Sequence, residues 1–334
     1  MSLAVQVLGL PGRDNAVLVT VDSGQAVTRL LFDCGDGCLW ALPFGAIQDI
    51  DHVLFSHFHM DHVGGFDTFF RCTFNRTAKP NHVWGPPGTA AVMHHRFRGF
   101  GWNLIGDQSA SWHVHDLHAG RVVSHRFELA EVFAQAHPGG DRTIAGDFLA
   151  GPGFTVEAHL MDHGVPSAAY VVRETPRVNV DTRKLADLGL RPGPWLNRVR
   201  GPKAEEGETV SVDGEPRSVR DLQNQLVVET PGESAAYLTD FRLDPAAMDR
   251  LTDALRGVGT VVCESQYRES DADLAARNCH MTGTQAATLA RRAGVGKLVL
   301  FHLSDRYRPA EWHQILADAR DIFPATEFPS HWDL

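Results

Sequence analysis

A cluster of potential metal ligands directly follows a short apolar run, and this feature constrains the fold more than any other. The run HVLF is typical of a buried strand, and it leads into the segment 56–65 (SHFHMDHVGG). Because side chains alternate along an extended chain, His57 and His59 point the same way. Asp61 and His62 follow as the chain turns, where they can reach a second site. Three imidazoles and a carboxylate this close together predict a site for a borderline cation, best suited to zinc.

A solvated histidine-rich loop is the alternative interpretation of this segment. An ordinary loop seldom follows a buried apolar strand directly at this spacing, so the metal site is favoured. Gly64 and Gly65 also permit a tight turn at the beginning of a helix, because glycine tolerates backbone conformations that other residues avoid.

The composition is that of an ordinary globular protein. The 334 residues are 43% hydrophobic and 22% charged, which excludes a disordered or collagen-like chain. The net charge of −10 argues against a protein that coats nucleic acid non-specifically, although it permits a local basic patch. Five cysteines without a C-x-x-C pair predict reduced thiols, and no apolar run approaches the ~20 residues that span a bilayer. We therefore expect a soluble, cytoplasmic protein without membrane contact.

Strand-like and helix-like patterns alternate along most of the chain. Apolar runs at 4–8, 16–21 and 29–32 come first, and later runs at 235–239, 261–264 and 297–301 alternate with helical patterns at 245–256 and 284–293. Strands followed by alternating strands and helices predict sheets covered by helices. Residues 75–153 show no clear period, and their role is left open. We predict one domain over residues 1–334, with an insertion at about 173–203 that contains four prolines.

The pattern H-x-H-x-D-H-x-G-G resembles the signature of the metallo-β-lactamase superfamily. This resemblance implies an α/β fold, an αββα sandwich of two mixed β-sheets with metals at one edge. The superfamily also has a downstream histidine, a bridging aspartate and a final histidine. His163, Asp240 and His302 occur in that order, each after an apolar run. Each residue alone would more often be structural, but their shared placement favours a common site.

The resemblance also implies how the ligands divide between two metal ions. One ion would bind His57, His59 and His163, and the other would bind Asp61, His62 and His302, with Asp240 shared between them. Two such ions can hold a hydroxide and clamp the oxygens of a displacement at phosphorus. Two Zn²⁺ ions are expected, with Mn²⁺ or Fe as alternatives.

Further stretches resemble the ribonuclease Z branch of this superfamily, which removes the 3′ trailer of precursor tRNA. The resemblance covers most of the chain except about 75–153. It rests on the following segments: 31–37 (LFDCGDG), 162–170, 184–194 (KLADLGLRPGP), 262–265 (VCES), 279–282 (CHMT) and 300–307. The branch implies a binuclear phosphodiesterase that uses metal-bound hydroxide, in a cytoplasmic homodimer that acts on RNA.

Three residues receive catalytic roles from this resemblance. Asp61 would bind metal and orient or deprotonate the attacking water. His280 would be the general acid for the leaving 3′-oxygen, and Glu264 would hold its tautomer. The alternative for His280 is a helix-capping or core histidine. The candidate substrate-binding residues are Arg198, Arg200, Lys203, Arg306 and Tyr307.

The sequence departs from the branch at several places that bear on the substrate. Cys-Glu-Ser replaces His-Glu-Ala, His-Met-Thr replaces His-Ser-Thr, and Phe241 follows Asp240 where a small threonine is expected. None of these departures removes a ligand, so hydrolysis is still expected. A small phosphodiester or ester metabolite is the alternative substrate. A non-catalytic RNA-binding relative is disfavoured, because the ligand set is complete.

The insertion at 173–203 resembles the arm with which the branch grips the tRNA elbow. It carries eight basic and three acidic residues, a net charge of +5 on a chain of −10. A basic segment on an acidic body suits contact with a phosphate backbone, and we predict a protruding basic arm. A loop whose charges only keep it solvated is the alternative.

Overall fold

Eight strands form the first of two large mixed β-sheets in the structure, a computed structural model that describes residues 2–334. They lie across the sheet in chain order: β1 (Ser2–Val7), β2 (Val17–Asp22), β3 (Val27–Phe32), β4 (His52–Leu54), β5 (Asn81–Gly85), β6 (Ser111–His118), β7 (Arg121–Glu128) and β8 (His137–Thr143). The neighbours β3 to β6 run parallel, and the other neighbouring strands run antiparallel.

Parallel neighbours need a crossover between them, and helices supply it here. The crossovers contain α1 (Phe44–Gln48), α2 (Met60–Val63), α3 (Phe66–Thr73) and α4 (Thr89–Phe97). Of these helices, α3 and α4 bury phenylalanines against one face of the first sheet, in a cluster that includes Phe66, Phe70, Phe97 and Trp112 of the sheet.

Seven strands form the second sheet, in the order β19-β18-β17-β16-β11-β10-β9. Their bounds are β9 (Leu149–Gly151), β10 (Phe154–Asp162), β11 (Pro166–Glu174), β16 (Ser234–Leu238), β17 (Thr260–Glu264), β18 (Lys297–Phe301) and β19 (Thr326–Glu327). The helices α8 (Pro245–Ala254), α9 (Ala272–Arg277), α10 (Gly283–Ala293) and α11 (Pro309–Ile322) alternate with its later strands.

The two sheets share one hydrophobic core. Phe32 of β3 lies between aromatic rings of the second sheet, with ring centroids 5.4 Å from Tyr170 and 5.6 Å from Tyr237. The same cluster continues through the second sheet to Leu251 of α8 and Ala286 of α10. Helices therefore cover both outer faces, and the predicted αββα sandwich is confirmed.

The predicted helices at 245–256 and 284–293 correspond to α8 and α10. In α10, Thr282 and Gln285 form a capping box, and Gly294 ends the helix with a φ of 64°. The segment 75–153, where no period was found, contains α4 and four strands of the first sheet. Its strands escaped prediction because β6 buries His115 and Asp116 together with apolar residues and β8 is mostly exposed, so neither shows a clean alternation.

Residues Glu174–Gly232 form a second compact unit, and Glu233–Leu334 joins the chain up to Arg173 in the larger one. The smaller unit contains β12 (Arg177–Val180), α5 (Thr182–Asp187), α6 (Trp195–Val199), β13 (Thr209–Val212), β14 (Glu215–Ser218), α7 (Val219–Leu226) and β15 (Val227–Thr230). Its own buried cluster includes Leu185, Trp195 and Leu222. The predicted arm at 173–203 covers only the first part of this unit. The whole unit carries nine basic and ten acidic residues, so its net charge is close to zero.

Across residues 2–334, each helix is too short or too polar to cross a lipid bilayer.

Candidate metal centre

The predicted metal ligands lie where strands of both sheets end. They are His57 and His59 after β4, Asp61 and His62 in α2, His163 after β10, Asp240 after β16 and His302 after β18. The backbone at Asp240 and at His302 has a φ of 52°. Residues with a Cβ rarely adopt this left-handed conformation, and it persists where the surroundings enforce it.

The first group of ligand atoms comes from His57, His59, His163 and Asp240, and these atoms lie within 4.8 Å of one another. His59 Nδ1 is 3.2 Å from His163 Nε2. The Asp240 Oδ2 atom is 3.7 Å from His57 Nε2 and 3.7 Å from His163 Nε2. Three imidazoles and one carboxylate thus converge on a single point.

A second group combines Asp61, His62 and His302 with the same Asp240, again within 4.8 Å. Asp61 Oδ2 is 3.2 Å from His62 Nε2 and 3.3 Å from His302 Nε2. Asp240 approaches this group with both oxygens, since Oδ2 is 3.2 Å from His62 Nε2 and Oδ1 is 2.8 Å from His302 Nδ1. The Asp240 carboxylate therefore faces both groups, as a bridging ligand must.

Hydrogen bonds outside the two groups fix the orientation of several imidazoles. His62 Nδ1 lies 2.7 Å from Asp33 Oδ2, His163 Nδ1 lies 2.9 Å from the Cys279 carbonyl oxygen, and His57 Nδ1 lies 3.0 Å from Ser56 Oγ. Because an oxygen acceptor holds the Nδ1 proton of His62 and of His163, the Nε2 lone pair of each faces the centre of the site. Such partners orient metal-binding histidines and raise their basicity.

Asp33 is the most connected of these outer residues, and sequence reasoning assigned it no role. It is fully buried, and its carboxylate accepts hydrogen bonds from the Ser56 amide at 2.6 Å, the Ser56 hydroxyl at 2.6 Å and the Tyr237 hydroxyl at 2.7 Å, besides contacting His62. Its place in the turn 31–37 was the available signal. Asn15, which also contacts the second group, had no signal of its own in the sequence.

Charge is concentrated in the second group. Burial opposes ionisation of Asp240, but the neighbouring His302 and His62 outweigh it and hold the pKa of that carboxylate well below its usual range. Burial also disfavours a charged His302, yet the Asp240 carboxylate raises its pKa to about 10. In the first group, burial lowers the pKa of His57 to about 2 and also lowers that of His59. Burial therefore favours the neutral imidazole at both His57 and His59.

The donor atoms fit divalent metal ions. His57 Nε2 is buried, has no hydrogen-bond partner within residues 2–334, and points at Asp240. A buried polar atom without a partner is costly, and a bound cation would satisfy it. Five imidazoles and two carboxylates form the mixed nitrogen and oxygen donor set that zinc accepts.

A carboxylate–imidazole pair adjoins the same aspartate. His280 Nδ1 lies 2.8 Å from Glu264 Oε2 and 3.9 Å from Asp240 Oδ1. Glu264 is fully buried at the end of β17, and its other oxygen accepts the Phe241 amide at 3.2 Å. Burial would lower the pKa of His280, but the Glu264 carboxylate outweighs it and raises that pKa. His280 does not cap α10, since that helix begins at Gly283 and Thr282 is its N-cap.

The predicted substrate-binding residues differ in exposure and in the contacts that they make. Arg306 is exposed, and its guanidinium lies 5.5 Å from the ring centroid of Tyr267, whose ring is 5.8 Å from that of His280. Tyr307 is buried and donates to Asp271 at 2.5 Å, a placement that does not support contact with substrate.

Three further candidates lie in the smaller unit. Arg198 is already paired with both carboxylate oxygens of Glu208, and it donates to the Pro202 carbonyl at 2.8 Å. Arg200 and Lys203 are exposed, and Arg200 donates to Asn197 at 2.6 Å. Arg198 is therefore engaged within its own unit, whereas Arg200 and Lys203 remain accessible.

Comparison with known proteins places this architecture in a family. Residues 28–180 match the family described as Beta-lactamase superfamily domain. The chain is 48% identical to the Ribonuclease Z of Deinococcus radiodurans, over 99% of this chain and 98% of that protein. It is 29% identical to the Ribonuclease Z of Geobacillus kaustophilus, over 91% of this chain and 87% of the relative.

Solved structures agree on the fold. The metallo-β-lactamase fold protein YhfI of Bacillus subtilis superposes with a TM-score of 0.57 at 14% identity, covering 98% of this chain and 96% of that one. The short form of human tRNase Z superposes with a TM-score of 0.53 at 16% identity, covering 90% and 93%. Given the nearly full-length likeness to the Deinococcus protein, this chain belongs to the ribonuclease Z family within the metallo-β-lactamase superfamily.

Proposed function

We propose that this chain is a zinc-dependent endoribonuclease that removes the 3′ trailer from precursor tRNA. The observation that carries the proposal is the pair formed by Glu264 and His280, whose Nδ1 lies 3.9 Å from an oxygen of the shared Asp240. A metal pair alone would serve many hydrolases, whereas an adjacent imidazole provides the acid that a poor leaving group such as a ribose 3′-oxygen needs.

Two zinc ions would be held by the residues of the two groups. His57, His59 and His163 would bind one ion, Asp61, His62 and His302 the other, and Asp240 both. When bound, the ions lower the pKa of a coordinated water towards neutrality and polarise the phosphoryl oxygens. Asp61 is the more exposed of the two carboxylate ligands, with 40% of its side chain exposed against 2% for Asp240, so it is the carboxylate that can orient an incoming water.

The protein residues carry the proton transfers. The Glu264 carboxylate holds the Nδ1 proton of His280, which leaves Nε2 to donate its proton to the departing 3′-oxygen. Arg306, next to His280 through Tyr267, would pair with a phosphate close to the scissile bond. Arg200 and Lys203 would contact the tRNA backbone away from that bond.

Parallel assays with a 3′-extended precursor tRNA and with bis(p-nitrophenyl) phosphate test the substrate class. We expect zinc-loaded protein to cut the precursor at one position next to the trailer, and chelation to stop both reactions. Hydrolysis of the small diester without cleavage of any precursor would instead favour the small-metabolite hydrolase.

The smaller unit offers a second test with an internal control. Replacing Arg200 and Lys203 with Ser should weaken precursor binding and reduce its salt dependence by roughly one unit of slope per lost contact. The small diester should be hydrolysed as before, because its hydrolysis needs only the metal centre. Arg198→Ser is the matched control, since that side chain already pairs with Glu208. An equal effect of all three replacements would show that the unit loses its fold rather than its contacts.

We further propose that the protein works as a homodimer in the cytoplasm, as its family resemblance implies. Light scattering of the purified protein should give twice the mass of one 36.7 kDa chain. A monomeric mass at assay concentration would contradict the dimer.

A further inference from the structure

Asn15 is a buried polar residue that contacts the second ligand group. It lies between β1 and β2 and is 2% exposed. Its backbone amide donates to the Asp61 carbonyl at 3.0 Å, and its carbonyl accepts the Gly35 amide at 3.0 Å. Three segments that are distant in sequence therefore meet at this residue.

The close approach depends on a glycine. A Cβ atom at Gly35 would lie 2.3 Å from the Asp61 carbonyl oxygen and 2.7 Å from the Asn15 backbone nitrogen, distances that no side chain tolerates. The missing side chain lets the backbone of α2 pack against the β1–β2 loop. Asn15 is thereby held at a fixed distance from the ligands of α2.

The Asn15 side chain points into the second group. Its Nδ2 atom lies 3.4 Å from Asp61 Oδ2 and 3.4 Å from His62 Nε2. Asp61 Oδ2 is the acceptor of this amide. His62 Nε2 is the ring nitrogen that faces the metal site, because Asp33 holds the other one, so it lies beside Asn15 without accepting from it.

The ligands differ in how they are held from outside. His57, His62 and His163 each have an outer partner, and Asp240 accepts a hydrogen bond from the Thr239 hydroxyl at 2.5 Å. Asp61 has 40% of its side chain exposed. Within residues 2–334, the only partner of its carboxylate outside the ligand set is Asn15.

We propose that Asn15 is a positioning residue of the second metal pocket, which holds the Asp61 carboxylate towards the metal. Without the Asn15 amide, the partly exposed Asp61 side chain is free to rotate into water. Metal binding must then order this side chain, and the entropy lost lowers the affinity for the metal. This inference rests on the proposed ligand set and deepens it, but it does not depend on the RNA substrate.

Zinc titration of the metal-free protein against a competing chelator tests the proposal. We expect Asn15→Ala to weaken one of the two zinc affinities by the roughly 10–100-fold typical of an outer partner, and to leave the other unchanged. Asn15→Leu, which keeps the side-chain volume, should behave alike. Asn81→Ala is the matched control, because Asn81 is equally buried and its side chain bonds to Arg76 and to the Ser111 carbonyl, neither of which is a proposed ligand.

A double-mutant cycle separates positioning from support of the fold. If Asn15 acts through Asp61, Asn15→Ala should have no further effect on zinc affinity in an Asp61→Ala background. Two unchanged affinities, equal losses at both ions, or additive losses in the cycle would each overturn the proposal. Wild-type protein that binds fewer than two zinc ions would instead refute the ligand set, and loss of RNA cleavage alone would leave the inference intact.

Discussion

The first sheet carries two sets of histidines. The histidines that follow β4 belong to the candidate metal centre. The other set, the histidine cluster, lies on β4, β5 and β6 and consists of His52, His82, His113 and His115. Both groups are rich in imidazole and both are at least partly buried, so a count of histidines does not distinguish them.

Their partners do distinguish them. In the histidine cluster the rings lie close together, with centroid distances of 5.0 Å between His52 and His82 and 3.7 Å between Trp84 and His115. His82 Nδ1 lies 3.1 Å from His115 Nε2, whose other nitrogen lies 2.7 Å from the Ser124 hydroxyl. Within residues 2–334, this group offers no set of three ligand atoms close enough for a metal ion.

The contrast shows which features distinguish the candidate ligands from other clustered histidines. At the metal centre the imidazoles converge on carboxylates, and acceptors outside the ligand set hold the Nδ1 protons of His62 and His163. The buried His57 Nε2 has no hydrogen-bond partner within the described residues. In the histidine cluster, His82 and His115 contact each other and stack on Trp84. The ring nitrogens that make hydrogen bonds there make them to other protein groups and not to a carboxylate. Convergence on a shared carboxylate is therefore the informative feature.

The strongest test of this contrast removes the shared carboxylate. Asp240→Ala should lower zinc content at both positions and reduce precursor cleavage at least about 10³-fold, since metal ions contribute several kcal/mol to such transition states. Elemental analysis and single-turnover assays measure the two effects. As the control, His115→Gln in the histidine cluster should retain both zinc ions. Loss of only one ion from Asp240→Ala would show that the bridge is misassigned.

A smaller effect is expected from the imidazole that adjoins the carboxylate without belonging to either ligand group. His280→Ala should keep both zinc ions and slow precursor cleavage by roughly 10²–10⁴-fold, the range of general acid catalysis. Hydrolysis of bis(p-nitrophenyl) phosphate should fall much less, because nitrophenolate leaves without protonation. Equal losses on the two substrates would contradict a leaving-group role, and lost zinc would make His280 a ligand.

The smallest expected effect is a loss of folding stability at low pH that arises from the histidine cluster. Burial lowers the pKa of His52 to about 4 and that of His82 to about 3. The stability contributed by these neutral histidines is fully present above the unfolded value near 6.5. It is lost as the pH falls from there towards the folded values, because the unfolded chain then binds protons that the folded chain excludes.

Urea unfolding at pH 7.5 and pH 5.0 measures this loss. We expect wild type to lose about 1–2 kcal/mol more than His82→Gln between the two conditions, since glutamine does not titrate. Zinc content at pH 7.5 should be equal in the two proteins. Identical losses of stability would mean that His82 is protonated without strain, and the contrast between the two groups would weaken.

The sequence predicted those parts of the site that depend on local spacing. His57, His59, Asp61 and His62 lie on one strand end and one short helix, so their convergence could be deduced from geometry alone. His163, Asp240 and His302 come from distant strands of the other sheet. They could be assigned only through resemblance, because nothing local shows that these strand ends meet.

The residues that were missed or misjudged depend on partners far away in the chain. Asn15 gains its role from packing against Gly35 and Asp61, which no local pattern reveals. Arg198 belonged to a segment with a net charge of +5, but its partner Glu208 lies beyond that segment. The histidine cluster could not be predicted from the sequence, because its members come together only through the register of β4, β5 and β6.

Asp33 connects the candidate metal centre to the packing of the two sheets. Its carboxylate hydrogen-bonds to Ser56 and His62, which follow β4 of the first sheet, and to Tyr237 in β16 of the second sheet. Asp240 lies three residues beyond Tyr237. Sliding one sheet over the other by even an ångström would shear these bonds and move Asp240 away from the imidazoles. We therefore expect the affinity for metal to depend on how the two sheets pack. A core substitution far from the proposed ligands that shifts one sheet should first lower the affinity for zinc.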